Sequence, residues 1–254
     1  MSILRIGSRG SEVAALQSAL NSQLRPSPNL TVDQVYGAQT AQAVRRFQAA
    51  NWLVEDSVAG PCTQTCVFNR ENFTPILHRV NLIAQPTDET CWATSTAMMK
   101  NSSVSTVILA TPADMILPPN PQNALRPPPL NVGGLANSSE TDQAIVSGTR
   151  YGIVHGLRCF APMSWMSSGL RTQLNRSPMM WDMLWNASDY TAGMGSSGHM
   201  LVVAGMRGNT DDDETITLRV YDPWPPKRGR IYSVGYARWM REVPTRTYRI
   251  FTRN

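Results

Sequence analysis

Charged residues are scarce in this chain of 254 residues: Asp, Glu, Lys and Arg make up 16% of it, whereas hydrophobic residues make up 42%. This balance excludes a disordered chain, which has few apolar and many charged residues. The formal net charge of +5 favours an anionic partner. However, the basic residues are scattered and form no cluster of the kind that binds nucleic acid, so we expect no nucleic-acid partner.

Long apolar runs are absent as well. None approaches the roughly 20 residues that a membrane-spanning helix requires, so we predict no membrane span. The first residues also lack the apolar core and the cleavage site of a signal peptide. If the protein acts outside the cytoplasm, we expect a delivery route that does not use a signal peptide.

Cysteine and histidine are few, with four and three residues respectively. Cys62 and Cys66 are four positions apart and could form a disulfide or half of a metal site. No second pair of ligands has suitable spacing for a closed zinc site, so we expect no metal. Cys159 is interpreted as a small core residue on a strand.

Cys91 stands where a loop is predicted to become a helix. Pro86 and short polar residues precede it, and residues 92–99 can form a helix with one buried face. A thiol at a helix N-terminus meets unpaired N–H groups and the positive end of the helix dipole, which favour the reactive thiolate. Gln85, six positions earlier, could donate a hydrogen bond to an oxyanion beside the sulfur. The alternative for Cys91 is a buried structural cysteine.

The pattern Gln-x5-Cys-Trp-Ala-x-Ser, formed by Gln85, Cys91, Trp92, Ala93 and Ser95, resembles the segment around the nucleophile of papain-like cysteine peptidases. The resemblance implies that Gln85 contributes to an oxyanion hole, and that a histidine and then an asparagine or aspartate follow in the chain. The loop before Cys91 differs from that of papain itself. It is closer to the bacterial branch, which includes secreted effector proteases and bacteriocin-processing peptidases.

A histidine base must hold the thiol proton and return it to the leaving group. His78 lies in a predicted linker, and His155 follows a predicted helix. His199 precedes the unbroken apolar run of residues 200–206, which predicts a buried strand. Because the base of papain-like peptidases stands at the start of such a strand, the resemblance favours His199 over His155.

The third member of a catalytic triad accepts a hydrogen bond from the imidazole. Asp222 ends the predicted strand of residues 215–222, and two adjacent antiparallel strands would bring it to the same rim of a sheet as His199. The alternative for Asp222 is a turn before Pro223. The predicted catalytic set is therefore Cys91, His199, Asp222 and Gln85, and it needs no organic cofactor.

Three short helices and glycine turns are predicted in the first quarter of the chain, with Ser11 and Thr40 as caps of the first two helices. A weak internal duplication relates the segment before Gln17 to the segment before Gln48. This region resembles the peptidoglycan-binding domain of many cell-wall hydrolases, although the same residues could simply form a bundle or a docking module. The matching residues are Leu4, Gly7, Gly10, Val13, Leu16, Gln17, Leu20, Tyr36, Gly37, Thr40, Ala43, Val44, Phe47, Gln48, Asp56, Gly60, Pro61 and Thr63.

We predict an α+β protein with a three-helix, peptidoglycan-binding-like domain (residues 1–68), a linker (69–79) and a papain-like domain (80–254). The papain-like domain would have a helical half and an antiparallel sheet. Prolines cluster in residues 111–129 and exclude regular helix and central strand there. That stretch could border the substrate cleft or lie on the surface.

These features predict a cysteine hydrolase of peptide or amide bonds, with the stem peptides of peptidoglycan as substrate. A wall-binding domain would raise the local concentration of this substrate. We expect an antibacterial effector delivered to the target cell's periplasm by a machine such as type VI secretion, or a phage lysin. Expected partners are then an immunity protein and a component of the secretion machine. The alternatives are a protease toxin that cleaves a protein in the recipient cell, and a non-catalytic wall-binding protein.

Overall fold

The computed structural model describes residues 2–136, 141–160, 166–184, 198–242 and 247–254. Contacts divide the chain into two compact units. The first unit consists of Met1–Pro75, Met206–Leu218 and Ser233–Arg238, and the second consists of Ile76–Gly205, Arg219–Tyr232 and Trp239–Asn254. The helices and the antiparallel strand pairs described below confirm the predicted α+β class, with helices in the N-terminal part.

Three helices form most of the first unit: α1 (Ser11–Gln23), α2 (Ala38–Ala50) and α3 (Pro61–Val67). Each begins after a glycine, and none of the three has a side-chain cap. The predicted caps were therefore wrong. Ser11 is already the first residue of α1. Thr40 lies buried in the first turn of α2, and its hydroxyl accepts a hydrogen bond from the side chain of Gln17.

Two buried glutamines, Gln17 and Gln48, hold two turns of this unit in the same way. The amide nitrogen of each lies within hydrogen-bond distance of a carboxylate, a backbone carbonyl and a threonine hydroxyl, and the amide oxygen accepts a backbone N–H. The weak duplication in the sequence is thus a structural repeat of the form Asp-x-Val-x-Gly-x-x-Thr. In that order, the partners are Asp33, Val35, Thr40 and Gln34 for Gln17, and Asp56, Val58, Thr63 and Ser57 for Gln48.

A buried ion pair contributes to the contacts between residues 206–218 and the rest of the first unit. The Nε and Nη2 atoms of Arg207 donate to the two carboxylate oxygens of Glu71 at 2.7 and 2.9 Å. Nη1 donates to the Asn51 carbonyl at 2.6 Å, and the guanidinium lies 5.1 Å from the centre of the Trp52 ring. The arginine side chain is only 8% exposed, so these contacts replace the water that it would otherwise bind.

The described residues form seven strands in one sheet, in the order β2-β7-β3-β4-β5-β6, with β1 pairing with β4. The pairs β2–β7, β3–β7 and β3–β4 are antiparallel. The strands are β1 (Ile76–Leu77), β2 (Leu157–Phe160), β3 (Met179–Leu184), β4 (Gly198–Arg207), β5 (Thr217–Asp222), β6 (Arg230–Gly235) and β7 (Thr247–Arg253).

The other helices in the described residues are α4 (Cys91–Lys100), α5 (Val104–Ala110), α6 (Pro121–Ala124), α7 (Thr141–His155), α8 (Ser167–Leu174) and α9 (Tyr236–Glu242). The sequence predicted one buried face for α4, but every residue from Cys91 to Met99 is buried. The Ser95 hydroxyl accordingly donates to the Met200 carbonyl of β4 at 2.8 Å. A helix buried on all sides fixes the position of its first residue more firmly than a surface helix would.

We predict that Arg207→Met lowers the free energy of unfolding by about 3 kcal/mol, because it removes a buried guanidinium and leaves the largely buried Glu71 carboxylate without its partner. The control is Arg150→Met, since Arg150 also contacts a carboxylate with two nitrogens, at Asp114, but in solvent. Urea unfolding should show a far smaller loss for that variant. Equal losses for the two variants would contradict this account of Arg207.

Candidate active site

Cys91 is the first residue of α4, and Thr90 precedes the helix as its N-cap. The Thr90 carbonyl accepts hydrogen bonds from the N–H and the hydroxyl of Thr94 at 3.0 and 2.8 Å, which closes the first turn. The Cys91 side chain is buried, and its sulfur lies 3.9 Å from the Gly198 carbonyl oxygen. The start of α4 therefore contacts the start of β4.

His199 is the second residue of β4, and Asp222 is the last residue of the neighbouring strand β5. The Nε2 atom of His199 lies 2.7 Å from Oδ1 of Asp222, and both side chains are buried. The Cys91 side chain is also close enough to His199 to raise the pKa of its imidazole. The structure thus brings together a sulfur, an imidazole and a carboxylate that are far apart in the sequence.

The surroundings of His199 favour its protonated form. Burial alone would lower the pKa of this imidazole, but the hydrogen bonds to Asp222 and Cys91 outweigh burial and raise the pKa to about 9. Burial raises the pKa of Asp222, yet the hydrogen bond and charge of His199 and the Trp224 N–H bring it below its ordinary value. The imidazole can therefore hold a proton as an imidazolium despite its burial.

Arg230, at the start of β6, is part of this site and was missed in the sequence. Its Nε and Nη2 atoms donate to Oδ2 of Asp222 at 3.1 and 3.0 Å, and its guanidinium lies 4.9 Å from the centre of the Tyr232 ring. The Trp224 N–H donates to Oδ1 at 2.9 Å, so Asp222 also forms the turn that was considered as its alternative role. Only seven residues separate Asp222, at the end of β5, from Arg230, at the start of β6. This short turn between two strands is the sequence signal from which their contact could have been predicted.

Gln85 is fully buried, and its backbone is bonded to the turn that follows Asp222. Its N–H donates to the Pro223 carbonyl at 3.1 Å, and its carbonyl accepts the Lys227 N–H at 2.9 Å. Its side-chain nitrogen donates to the Thr87 carbonyl at 2.7 Å, while its side-chain oxygen has no partner within the described part of the chain. One of the two hydrogens of the Gln85 side-chain amide is therefore bound to the Thr87 carbonyl of the loop.

The other two histidines have different partners. His155 is the last residue of α7, where its Nε2 lies 2.9 Å from the Thr111 hydroxyl and its ring packs against Tyr151. Burial, together with the charge of Lys100, lowers the pKa of His155 to about 4. The ring of His78 contacts the Leu174 carbonyl. Both side chains thus have structural contacts of their own.

The proline-rich stretch contacts the loop that precedes Cys91. The side-chain nitrogen of Asn123 donates to Asp88 and Glu89 at 2.8 and 2.7 Å. Farther along the chain, the Gly133 carbonyl accepts the indole N–H of Trp92 at 3.1 Å. These contacts place part of the proline-rich stretch against the loop that precedes Cys91.

The remaining cysteines are free thiols, so Cys62 and Cys66 do not form the disulfide that was left open. Burial raises the pKa of Cys62 and Cys159 to about 11 and that of Cys66 to about 12. Among the residues that the structure describes, no group of three or more metal-binding side chains occurs. In the same residues, no helix is long and apolar enough to cross a membrane.

Residues 9–66 match the family model described as "Putative peptidoglycan binding domain". This match confirms the N-terminal domain predicted from the sequence and supports peptidoglycan as a partner. The crystal structure of the Burkholderia AP3 phage endolysin is 27% identical over 43% of this chain and 37% of the endolysin chain, with a TM-score of 0.25. The chain thus spans little more than a third of the endolysin's length. No curated protein matches the chain.

We predict that His199 makes stability depend on pH. Its pKa of about 9 lies above its ordinary value of 6.5, so the folded state binds this proton more tightly than the unfolded state. The resulting stabilisation is complete below pH 6.5 and is lost as the pH rises through 9. Urea unfolding of the wild type and of His199→Gln between pH 6 and 9.5 isolates this contribution, and parallel pH curves would contradict it.

Proposed function

We propose that the protein is a papain-like cysteine hydrolase that cleaves peptide or amide bonds in the stem peptides of peptidoglycan. The observation that carries this proposal is the position of His199. Its imidazole lies 2.7 Å from the Asp222 carboxylate, and the Cys91 sulfur lies 3.9 Å from the carbonyl oxygen of the preceding residue, Gly198. An imidazole held between a thiol and a carboxylate is the arrangement that nucleophilic catalysis by cysteine requires.

In the proposed reaction, His199 takes the proton of Cys91, and the sulfur attacks the carbonyl carbon of the substrate. The resulting oxyanion accepts hydrogen bonds from the Cys91 N–H, which has no partner among the described residues, and from the remaining amide hydrogen of Gln85. His199 then gives its proton to the leaving amine as the C–N bond breaks. Water, deprotonated by His199, releases the acyl group as a carboxylate and restores the thiol.

Asp222 and Arg230 act in this proposal as positioning residues. The carboxylate of Asp222 holds the Nε2 side of the imidazole, so that the other ring nitrogen is directed to the sulfur. Arg230 holds the second oxygen of the same carboxylate with two donors. The carboxylate therefore cannot rotate away from His199 without breaking these bonds.

Peptidoglycan is proposed as the substrate because of the match of residues 9–66. A wall-binding domain on the same chain as a hydrolase raises the concentration of wall peptides at the catalytic residues. Delivery to the periplasm of a target cell, a type VI secretion machine and an immunity protein remain predictions from the sequence.

Digestion of purified sacculi with wild type and with Cys91→Ala tests the proposal. We expect the wild type to release fragments whose masses show hydrolysis within the stem peptide, and Cys91→Ala to release none. Intact sacculi together with Cys91-dependent cleavage of recipient-cell proteins would indicate a toxin protease instead. Binding to sacculi without any cleavage would indicate a wall-binding protein.

We predict that Arg230→Gln lowers kcat on sacculi about tenfold with little change in KM. The substitution removes the partner of one oxygen of Asp222, so that the carboxylate holds the His199 imidazole less firmly. The control is Arg228→Gln, since the Arg228 side chain is exposed two residues away and makes no hydrogen bond in the described part of the chain. A loss of activity that is equal in the two variants would contradict the positioning role. Equal unfolding midpoints of Arg230→Gln and wild type would exclude a folding defect.

A further inference from the structure

A concave pocket of about 270 Å³ lies in the first unit, between the loop that follows α1 and the outer face of α2. Asn29 and the buried Leu30 contribute from the loop. Gln39, Gln42 and Arg46 contribute from α2, where spacings of three and four residues place them along one side of the helix. Polar side chains of α2 therefore line one side of the pocket, and Leu30 lines the side of the loop.

The amides of this pocket are free to bind a ligand. In the described part of the chain, the side chains of Asn29, Gln39 and Gln42 make no hydrogen bond with the protein. Gln17 and Gln48 in the same unit show the opposite pattern, since every polar atom of their amides has partners. The unit thus contains glutamines that hold its turns and glutamines that face a pocket with their hydrogen-bonding capacity unused.

Arg46 gives the pocket a positive charge in a fixed position. Its Nη2 donates to the Pro26 carbonyl at 2.9 Å, which holds the guanidinium at the rim, and its other N–H groups have no partner in the described residues. No Asp or Glu is among the lining residues. A carboxylate is the group that best fits such a guanidinium, and amides fit the neighbouring side chains.

We propose that this pocket is the site where the N-terminal domain binds peptidoglycan, and that Arg46 holds a carboxylate of the stem peptide there. Peptidoglycan offers free carboxylates, peptide amides and sugar hydroxyls within a short distance, which are the groups that the pocket can pair. The inference depends on peptidoglycan being the partner, as in the proposed function, but it does not depend on catalysis by Cys91.

Sedimentation with purified sacculi tests the site in the Cys91→Ala background, in which no digestion is expected. We expect Arg46→Gln to weaken binding tenfold or more, as the loss of a charge-assisted hydrogen bond does. Arg45→Gln is the matched control, because Arg45 is the adjacent exposed arginine on α2 and does not line the pocket. Equal affinities of the two variants, whether both reduced or both unchanged, would overturn the proposal. Unchanged unfolding midpoints show that both variants fold.

A second arm identifies the group that binds. Sacculi whose carboxylates have been converted to amides should bind the Cys91→Ala protein about as weakly as untreated sacculi bind the Cys91→Ala, Arg46→Gln protein. The same treatment should have no further effect on that double variant. An additional loss in the double variant would place the carboxylate at another site and overturn the proposal. Failure of the proposed catalysis appears separately, as the absence of Cys91-dependent fragments while Arg46-dependent binding remains.

Discussion

The hydrogen bonds of one buried carboxylate, that of Asp222, determine the geometry of the candidate active site. A carboxylate that is removed from water is unfavourable unless its oxygens accept enough hydrogen bonds. Here Oδ1 accepts from His199 and from the Trp224 N–H, and Oδ2 accepts from two nitrogens of Arg230. A single side chain consequently fixes the end of β5, the following turn, the start of β6 and His199 on β4.

The first unit follows the same principle with neutral side chains. Gln17 and Gln48 each bind a carboxylate, a carbonyl and a hydroxyl. Each glutamine thereby provides hydrogen-bond partners for polar groups of a turn that would otherwise lack them. These internal bonds shape the turns without any contribution from the outer face of α2. The polar side chains on that face, among them Gln42 and Arg46, take no part in these turn bonds, and this agrees with the ligand-binding role proposed for them.

The sequence predicted the features that depend on local signals. The helix start at Cys91 follows from a loop next to an apolar helical segment, and the strand that His199 begins follows from an unbroken apolar run. Specific side-chain pairs were missed, both across the short turn that joins Asp222 to Arg230 and between the distant residues Arg207 and Glu71. The cap predicted at Thr40 was wrong for the same reason, because Gln17, 23 residues earlier, binds its hydroxyl.

Burial does not distinguish Cys91 from the other cysteines, because Cys91 and Cys66 are 8% and 6% exposed. The difference lies in their partners. Burial keeps the Cys66 thiol protonated, with a pKa of about 12, and no imidazole is among the groups that act on it. Cys91 stands at a helix N-terminus and lies close to an imidazole that is itself held by Asp222. Since a thiol becomes a nucleophile through a neighbouring base, the proximity of His199 is the reason why Cys91, and not one of the other three cysteines, is proposed as the nucleophile.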